Sequence, residues 1–233
     1  MNSRWILAAA GLGVWCAPAP APLSAPWCDI LRIPRRLARP AGIGLTFDDG
    51  PDPLGTPAVL DALALAGATA TFFLVGEQVE RYPSVAAEIV GAGHEIALHG
   101  YRHLLQLRRS PRALALDLDR SLEAVGTATG LEPTLFRPPY GVFSAVGLEL
   151  VRRRRWRPLL WSKWGCDWRA SATAASVARL ATRDLRSGDV VLLHDADHYS
   201  SPGSWRATAG AIPRIADAAE ALGAPLLSIS QAM

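Results

Sequence analysis

The sequence predicts an α/β protein of alternating parallel strands and helices, with seven or eight strand–helix units. Three observations carry this expectation. Short apolar runs rich in strand formers recur at residues 43–47, 71–75, 95–98, 134–136, 158–161, 190–193 and 225–229. Helical stretches lie between them, at 57–66, 84–92, 111–129, 172–185 and 208–222. Polar residues of the kinds that do chemistry cluster just past the ends of the apolar runs. Strand–helix repetition of this kind implies parallel strands joined by right-handed crossovers. Seven or eight such units close as a β/α barrel, and an open doubly wound sheet is the alternative that the same periodicity serves.

Length and composition fit this. At 233 residues the chain suits one substantial domain with an appended terminal segment, and 50% hydrophobic residues are enough for a core. No repeat of solenoid period is present. The net charge of +3 gives no argument for nucleic acid. The one dense basic run, Arg152 to Arg155, follows an apolar helical stretch at 146–151, where cations complement a helix C-terminus. Three cysteines, Cys16, Cys28 and Cys166, form no CxxC pattern or disulfide framework, and nothing specifies a Cys28–Cys166 bridge.

Residues 1–39 read as a leader followed by a basic linker, and 40–233 as the catalytic domain. Arg4 gives a positive start and residues 5–16 an apolar run of signal-peptide length. Pro18, Pro20, Pro22 and Pro26 argue against a straight spanning helix. Small-residue cleavage patterns end at Ala19, Ala21 and Ala25, each followed by proline. Arg32, Arg35, Arg36 and Arg39 then add positive charge. The expectation is export, with the protein secreted or membrane-anchored through this segment.

Five polar groups follow the strands. Asp48-Asp49-Gly50 ends the first, His99-Gly100-Tyr101-Arg102-His103 follows the third, and Arg137-Pro138-Pro139-Tyr140-Gly141 follows the fourth. Asp167-Trp168 trails the fifth and His194 ends the sixth. The C-terminal ends of barrel strands are where active sites are built. Adjacent aspartates repel unless a cation or donors sit nearby. His99 and His103 are four apart, so a helical turn would project both imidazoles from one side. Two imidazoles and one carboxylate make a three-ligand site with an open position for water, the pattern of catalytic zinc. The second aspartate is then free to take a proton, and His194 to protonate a leaving amine. Taken singly, each group has a plain structural reading. Asp-Asp-Gly is a common turn, a lone HxxxH is often surface, and His194-Asp195 reads as a capped strand end. Cys166, between Trp164 and Trp168, reads as a buried inert thiol, His94 as a loop brace, and His198 as either a supporting residue or surface.

Together and in this order, the motifs resemble the polysaccharide deacetylase family, also called the NodB homology domain or carbohydrate esterase family 4. Thr46-Phe47-Asp48-Asp49-Gly50-Pro51 is the most specific, and the resemblance runs from about Gly42 to Ile229. It implies a distorted (β/α)7-8 barrel with Asp48 as general base and Asp49, His99 and His103 as ligands of one divalent metal ion, zinc first and cobalt or another ion next. It implies that the backbone N–H of Tyr140 stabilises the oxyanion and Arg137 holds Asp48. Asp167 would orient His194 and keep it protonated, with Trp168 and Leu192 walling the acetyl pocket. The substrate implied is an N-acetylated polysaccharide of N-acetylglucosamine type. The competing readings are a related C–N hydrolase or O-acetyl esterase, and a glycan-binding protein on a decayed catalytic fold. The chain departs from the family at Gly100, where many members have Ser or Thr, and at Trp164, where some carry a further acid.

Overall fold

The computed structural model describes residues 13–38 and 40–233. The positive start, most of the apolar run at 5–16, and Arg39 lie outside the described residues. Among the described residues, eight strands form one parallel sheet: β1 (Ile43–Asp48), β2 (Thr71–Leu74), β3 (Glu95–Leu98), β4 (Leu135–Phe136), β5 (Arg157–Pro158), β6 (Lys163–Trp164), β7 (Val190–His194) and β8 (Leu226–Leu227). The helices are α1 (Ala25–Ile30), α2 (Gly55–Leu65), α3 (Gly76–Arg81), α4 (Pro83–Gly91), α5 (Pro111–Thr129), α6 (Ala145–Arg153), α7 (Ala174–Ala181), α8 (Trp205–Ala221) and α9 (Ile229–Ala232).

The strands pair in the order β5-β4-β3-β2-β1-β7-β6. Every residue of β1 and β2 is buried, as expected of central parallel strands covered on both faces. At Gly44, β1 pairs with Val190 of β7 on one edge and Leu227 of β8 on the other, so β8 wedges in where β2 has not yet begun to pair. No ladder joins β5 to β6 among the described residues, and the fold is the distorted form of the β/α barrel. Its core includes the buried rings of Phe47 and Phe72, stacked at 5.0 Å, and those of Phe136 and Phe143.

The seam has a physical cause. The run at 158–161, expected as one strand, keeps only Pro158 in β5, and β6 begins beyond it at Lys163, because the backbone groups of Leu159, Leu160 and Trp161 have other partners. The carbonyls of Leu159 and Leu160 accept from the Arg137 side chain, both at 3.2 Å. The Leu160 N–H donates to Pro34 at 2.9 Å, and the Trp161 carbonyl accepts from Arg35 Nε at 2.8 Å. Further along, the Leu37 N–H donates to the Gly188 carbonyl and Arg36 pairs with Asp189. Residues 33–37 thus run across the gap as a strap. Ala21, Cys28, Ile33 and Leu37 belong to the same apolar core as the barrel strands. All three cysteines are free, and Cys28 Sγ lies 3.0 Å from the Ala21 carbonyl.

Four helices differ from expectation: α1 and α9 lie outside the expected helical stretches, α9 beginning at Ile229, the last residue of the run expected as strand. α3 carries Gly-Glu-Gln-Val-Glu-Arg, too short and polar to show an apolar stripe. The stretch 172–185 contracts to α7, opened by a reciprocal cap between Thr173 and Ser176. No described helix is long and apolar enough to cross a membrane.

Candidate metal and catalytic site

The parallel arrangement brings the C-terminal ends of the strands to one rim, and the chemistry collects there. β1 ends on Asp48, and Asp49 turns the chain away with a φ of 81°. The next residue is glycine for a steric reason, since a Cβ on Gly50 would sit 2.3 Å from the buried Asp195 carboxylate.

The two motif histidines are on a loop after β3, not on the helical turn that their spacing suggested. Gly100 bends this loop at φ 86°, where a Cβ would meet the Asp117 carboxylate at 3.1 Å. Asp117, on α5, accepts from the Tyr101 N–H at 2.9 Å and pairs with Arg109 at 2.6 Å. The loop lacking the family's hydroxyl is therefore braced from a helix, and its curvature brings the imidazoles to 5.3 Å between centroids.

Nε2 of His103 and Nε2 of His99 lie 3.2 Å and 3.5 Å from Asp49 Oδ1. That oxygen is buried and has no hydrogen-bond partner. Three ligand atoms on Asp49, His99 and His103 all lie within 4.8 Å of one another. An unsatisfied buried oxygen facing two imidazole nitrogens is costly unless a cation supplies the missing interaction. The N,N,O set suits a divalent metal of the zinc type. His99 Nδ1 meets the Arg137 carbonyl at 2.8 Å, which leaves Nε2 free to ligate. Burial lowers the His103 pKa to about 4, against the raising effect of Asp49, so the ring is neutral and competent as a ligand. Burial opposes ionisation of Asp49, but the surrounding imidazoles of His99, His194 and His103 hold its carboxyl below the usual carboxylate range.

Two further pairs flank the triad. Arg137, fully buried, donates from Nη1 to Asp48 Oδ1 at 2.6 Å and to Thr46 Oγ1 at 3.0 Å, and its guanidinium covers the Phe73 ring at 4.0 Å. On the opposite side, Asp167 Oδ1 accepts from His194 Nδ1 at 2.9 Å. Asp167 Oδ2 accepts from the His194 N–H and from Thr208 Oγ1, both at 2.7 Å. Burial alone would lower the His194 pKa. The charge and hydrogen bond of Asp167, with smaller contributions from Asp49 and Asp48, instead raise it to about 10.

These groups surround a cavity of about 340 Å³. Asp48, Asp49, His99, His103, Tyr140, Trp168, Leu192 and His194 line it, while Arg137 and Asp167 stand behind the wall and hold residues that do. Tyr140 adopts a left-handed backbone, φ 60° and ψ 6°, inside the turn Pro139–Gly141 and presents a half-exposed ring at the mouth. Trp168 meets His194 edge-on at 5.6 Å, and Trp164 stands against Trp168 at 5.5 Å and Trp161 at 5.9 Å.

Sequence reasoning missed Asp117, Thr208 and Tyr199. Asp117 and Thr208 sit in helices with no local mark of their role, and Tyr199 follows His194 in a loop without a motif. His94 accepts from the Ala70 N–H at 3.3 Å, the loop-bracing role anticipated for it. His198 Nε2 meets the Pro51 carbonyl at 3.2 Å beside Asp52, which makes it a support for the turn after β1. Its grouping with Asp52 and Asp197 is accounted for by these contacts and by the two backbone N–H groups that Asp52 Oδ1 already accepts. Cys166 is half-buried, outside any ligand cluster among the described residues, and burial raises its thiol pKa.

The family profile described as polysaccharide deacetylase matches residues 38–155. The chain is 37% identical over 161 residues to a peptidoglycan-N-acetylglucosamine deacetylase of Bacillus cereus, a match covering 68% of this chain and 75% of that protein. Its structure is similar to that of a family 4 carbohydrate esterase from Streptomyces lividans, with TM-score 0.72, 31% identity, and coverage of 80% of this chain and 92% of the other. It is similar also to the Bc1960 peptidoglycan N-acetylglucosamine deacetylase, with TM-score 0.82, 25% identity, and coverage of 90% and 96%. With profile, relatives, fold and site motifs in agreement, the chain belongs to the polysaccharide deacetylase family and is a hydrolase of non-peptide C–N bonds.

Proposed function

We propose that the protein removes acetyl groups from N-acetylglucosamine-type residues of a cell-surface polysaccharide, peptidoglycan first, using one divalent metal ion of the zinc type. The observation that carries the reading is the convergence, on one cavity, of three ligand atoms and two separately held proton-transfer groups. Asp49, His99 and His103 would hold the metal. When bound, it supplies Lewis-acid polarisation of the acetamide carbonyl and lowers the pKa of a coordinated water.

The remaining steps belong to the chain. Asp48, oriented by Arg137, takes a proton from the attacking water. The backbone N–H of Tyr140, set by the left-handed turn, donates to the developing oxyanion, an interaction that is a main source of catalysis in acyl transfer. His194, kept as imidazolium by Asp167, gives its proton to the departing amine as the C–N bond breaks. Trp168 and Leu192 wall the space for the acetyl methyl. Departure of an amine requires a proton, and His194, bonded through Nδ1 to Asp167, is placed to supply it.

The place of action follows from the substrate. We propose an extracytoplasmic location, supported by the cell-wall substrate named for the Bacillus cereus relative and by the signal-length apolar run. A reporter fused after Pro40 that worked only in the cytosol would reverse this. Substrate and metal are tested together by acetate release from chitooligosaccharides, peptidoglycan and acetylxylan, with and without chelator. Release from N-acetylated substrates that chelation abolishes and zinc restores is the expected result. Full turnover by metal-free His99→Ala would overturn the assignment.

A further inference from the structure

The metal-ligand histidines are held in different ways. His99 has the usual support, with its second ring nitrogen bonded to a backbone carbonyl at 2.8 Å. His103 has none, because its Nδ1 is buried without a hydrogen-bond partner. A ligand imidazole free to rotate about its side-chain torsions must lose that freedom on binding, which weakens the complex.

Aromatic rings occupy the place of the missing bond. Tyr199 stacks on His103 with centroids 4.2 Å apart and planes 14° from parallel, and Tyr140 approaches at 4.5 Å with planes 62° apart. The Tyr199 ring is itself pinned. Its hydroxyl donates to Glu77 Oε1 at 2.9 Å and accepts from Gln78 Nε2 at 3.0 Å, both at the start of α3. The Glu77 N–H in turn donates to the Tyr101 carbonyl at 2.9 Å, inside the loop that carries His103. A closed circuit therefore runs from the histidine loop to α3, to the segment after β7, and back onto the imidazole face.

We infer that Tyr199 is a positioning residue for the metal, its stacked ring fixing the orientation of His103 in place of a hydrogen bond at Nδ1. The inference rests on the three-ligand reading above. It gives the loop after β7 a second task, because Tyr199 also lines the cavity beside His194. A substrate pressing on this ring bears directly on a metal ligand.

The test is zinc affinity of the full chain, by competition with a fluorescent chelator, for wild type, Tyr199→Phe, Tyr199→Leu and His103→Ala. Loss of a supporting contact to a ligand typically weakens metal binding about 10–100-fold. Tyr199→Leu should fall in that range, while Tyr199→Phe, which keeps the ring, should stay within a few-fold of wild type. Melting of the metal-free proteins should separate Leu from Phe far less than affinity does. If the leucine variant does not fold, Tyr199→Met is held to the same comparison. An affinity for the leucine or methionine variant within two-fold of wild type, or a phenylalanine variant equally weak, would overturn the role. His103→Ala separates the two levels of the argument. Wild-type affinity in that variant removes the three-ligand reading and this inference together, whereas loss of metal in His103→Ala with none in Tyr199→Leu removes this inference alone.

Discussion

Replacing Asp167 with Asn is the most informative perturbation of the proton-transfer chemistry. The change keeps shape while removing the charge that faces His194 Nδ1 at 2.9 Å. The imidazole pKa is raised from 6.5 to about 10 in spite of burial, with the charge of Asp167 as the largest raising cause. That rise corresponds to roughly 5 kcal/mol favouring the imidazolium, an upper bound for the metal-loaded protein because a cation at Asp49 opposes a second positive charge nearby. The sign follows from the role. His194 must be protonated to donate, so activity is lost as pH rises through its pKa, and a lower pKa brings that loss to lower pH. The expected result for Asp167→Asn is an alkaline limb of kcat displaced downward, with little loss at pH values well below it. Acetate release from a soluble N-acetylated oligosaccharide, measured from acid to alkaline pH for both proteins at saturating zinc, checks this. Thr208→Val, which removes only the hydroxyl donor to Asp167 Oδ2, should leave the limb much closer to wild type. An unchanged alkaline limb in Asp167→Asn would refute the assignment of His194 as the acid whose proton Asp167 secures.

Three other outcomes follow from the geometry. Asp48→Asn should load zinc as wild type does and lose about 10²–10⁴-fold in turnover; metal stoichiometry measured beside acetate release checks both, and near-normal turnover would place the base elsewhere. Asp195 is fully buried, and burial pushes its carboxyl from 3.8 up to about 7. The unfolded carboxyl ionises first, so the contribution of Asp195 to the stability of the metal-free protein should fall as pH rises between those values and level off above them. Asp195→Asn should therefore gain stability over wild type at pH 8 more than at pH 4, and equal urea midpoint differences at both would remove the explanation. Ile33, 2% exposed in the strap, should cost about 2–5 kcal/mol on truncation to alanine, and a urea-derived loss under about 1 kcal/mol would mean that the strap does not dock.

What could be read in advance was what is local. The Asp48-Asp49 pair, the Arg137–Gly141 segment and His194 sit at strand ends, and strand ends follow from apolar runs bounded by polar turns. α5 matched its expected span because its stripe is long and Ser110-Pro111 marks its start. The curvature of the histidine loop was not legible, since it depends on a positive φ at Gly100 and on Asp117, sixteen positions beyond Tyr101. The strap was hidden by composition. A stretch with five prolines and four arginines reads as leader and linker, and its partners at Leu160, Trp161 and Asp189 are over a hundred residues away. For the same reason the run at 158–161 read as one strand, because nothing nearby in sequence announces that Arg137 and Pro34 take its backbone groups.

Arg137 ties the proposed base and the proposed metal site to one buried residue. Its side chain grips Asp48, and its main-chain carbonyl grips His99. Both contacts therefore depend on the placement of one residue, whose side chain is also bonded to the Leu159 and Leu160 carbonyls beside the seam. The same economy limits adaptation: Arg137→Lys would keep the carbonyl that orients His99 and surrender the fork that spans Asp48, Thr46, Leu159 and Leu160. That substitution should therefore free the proposed base, Asp48, while leaving the Asp49, His99 and His103 cluster intact.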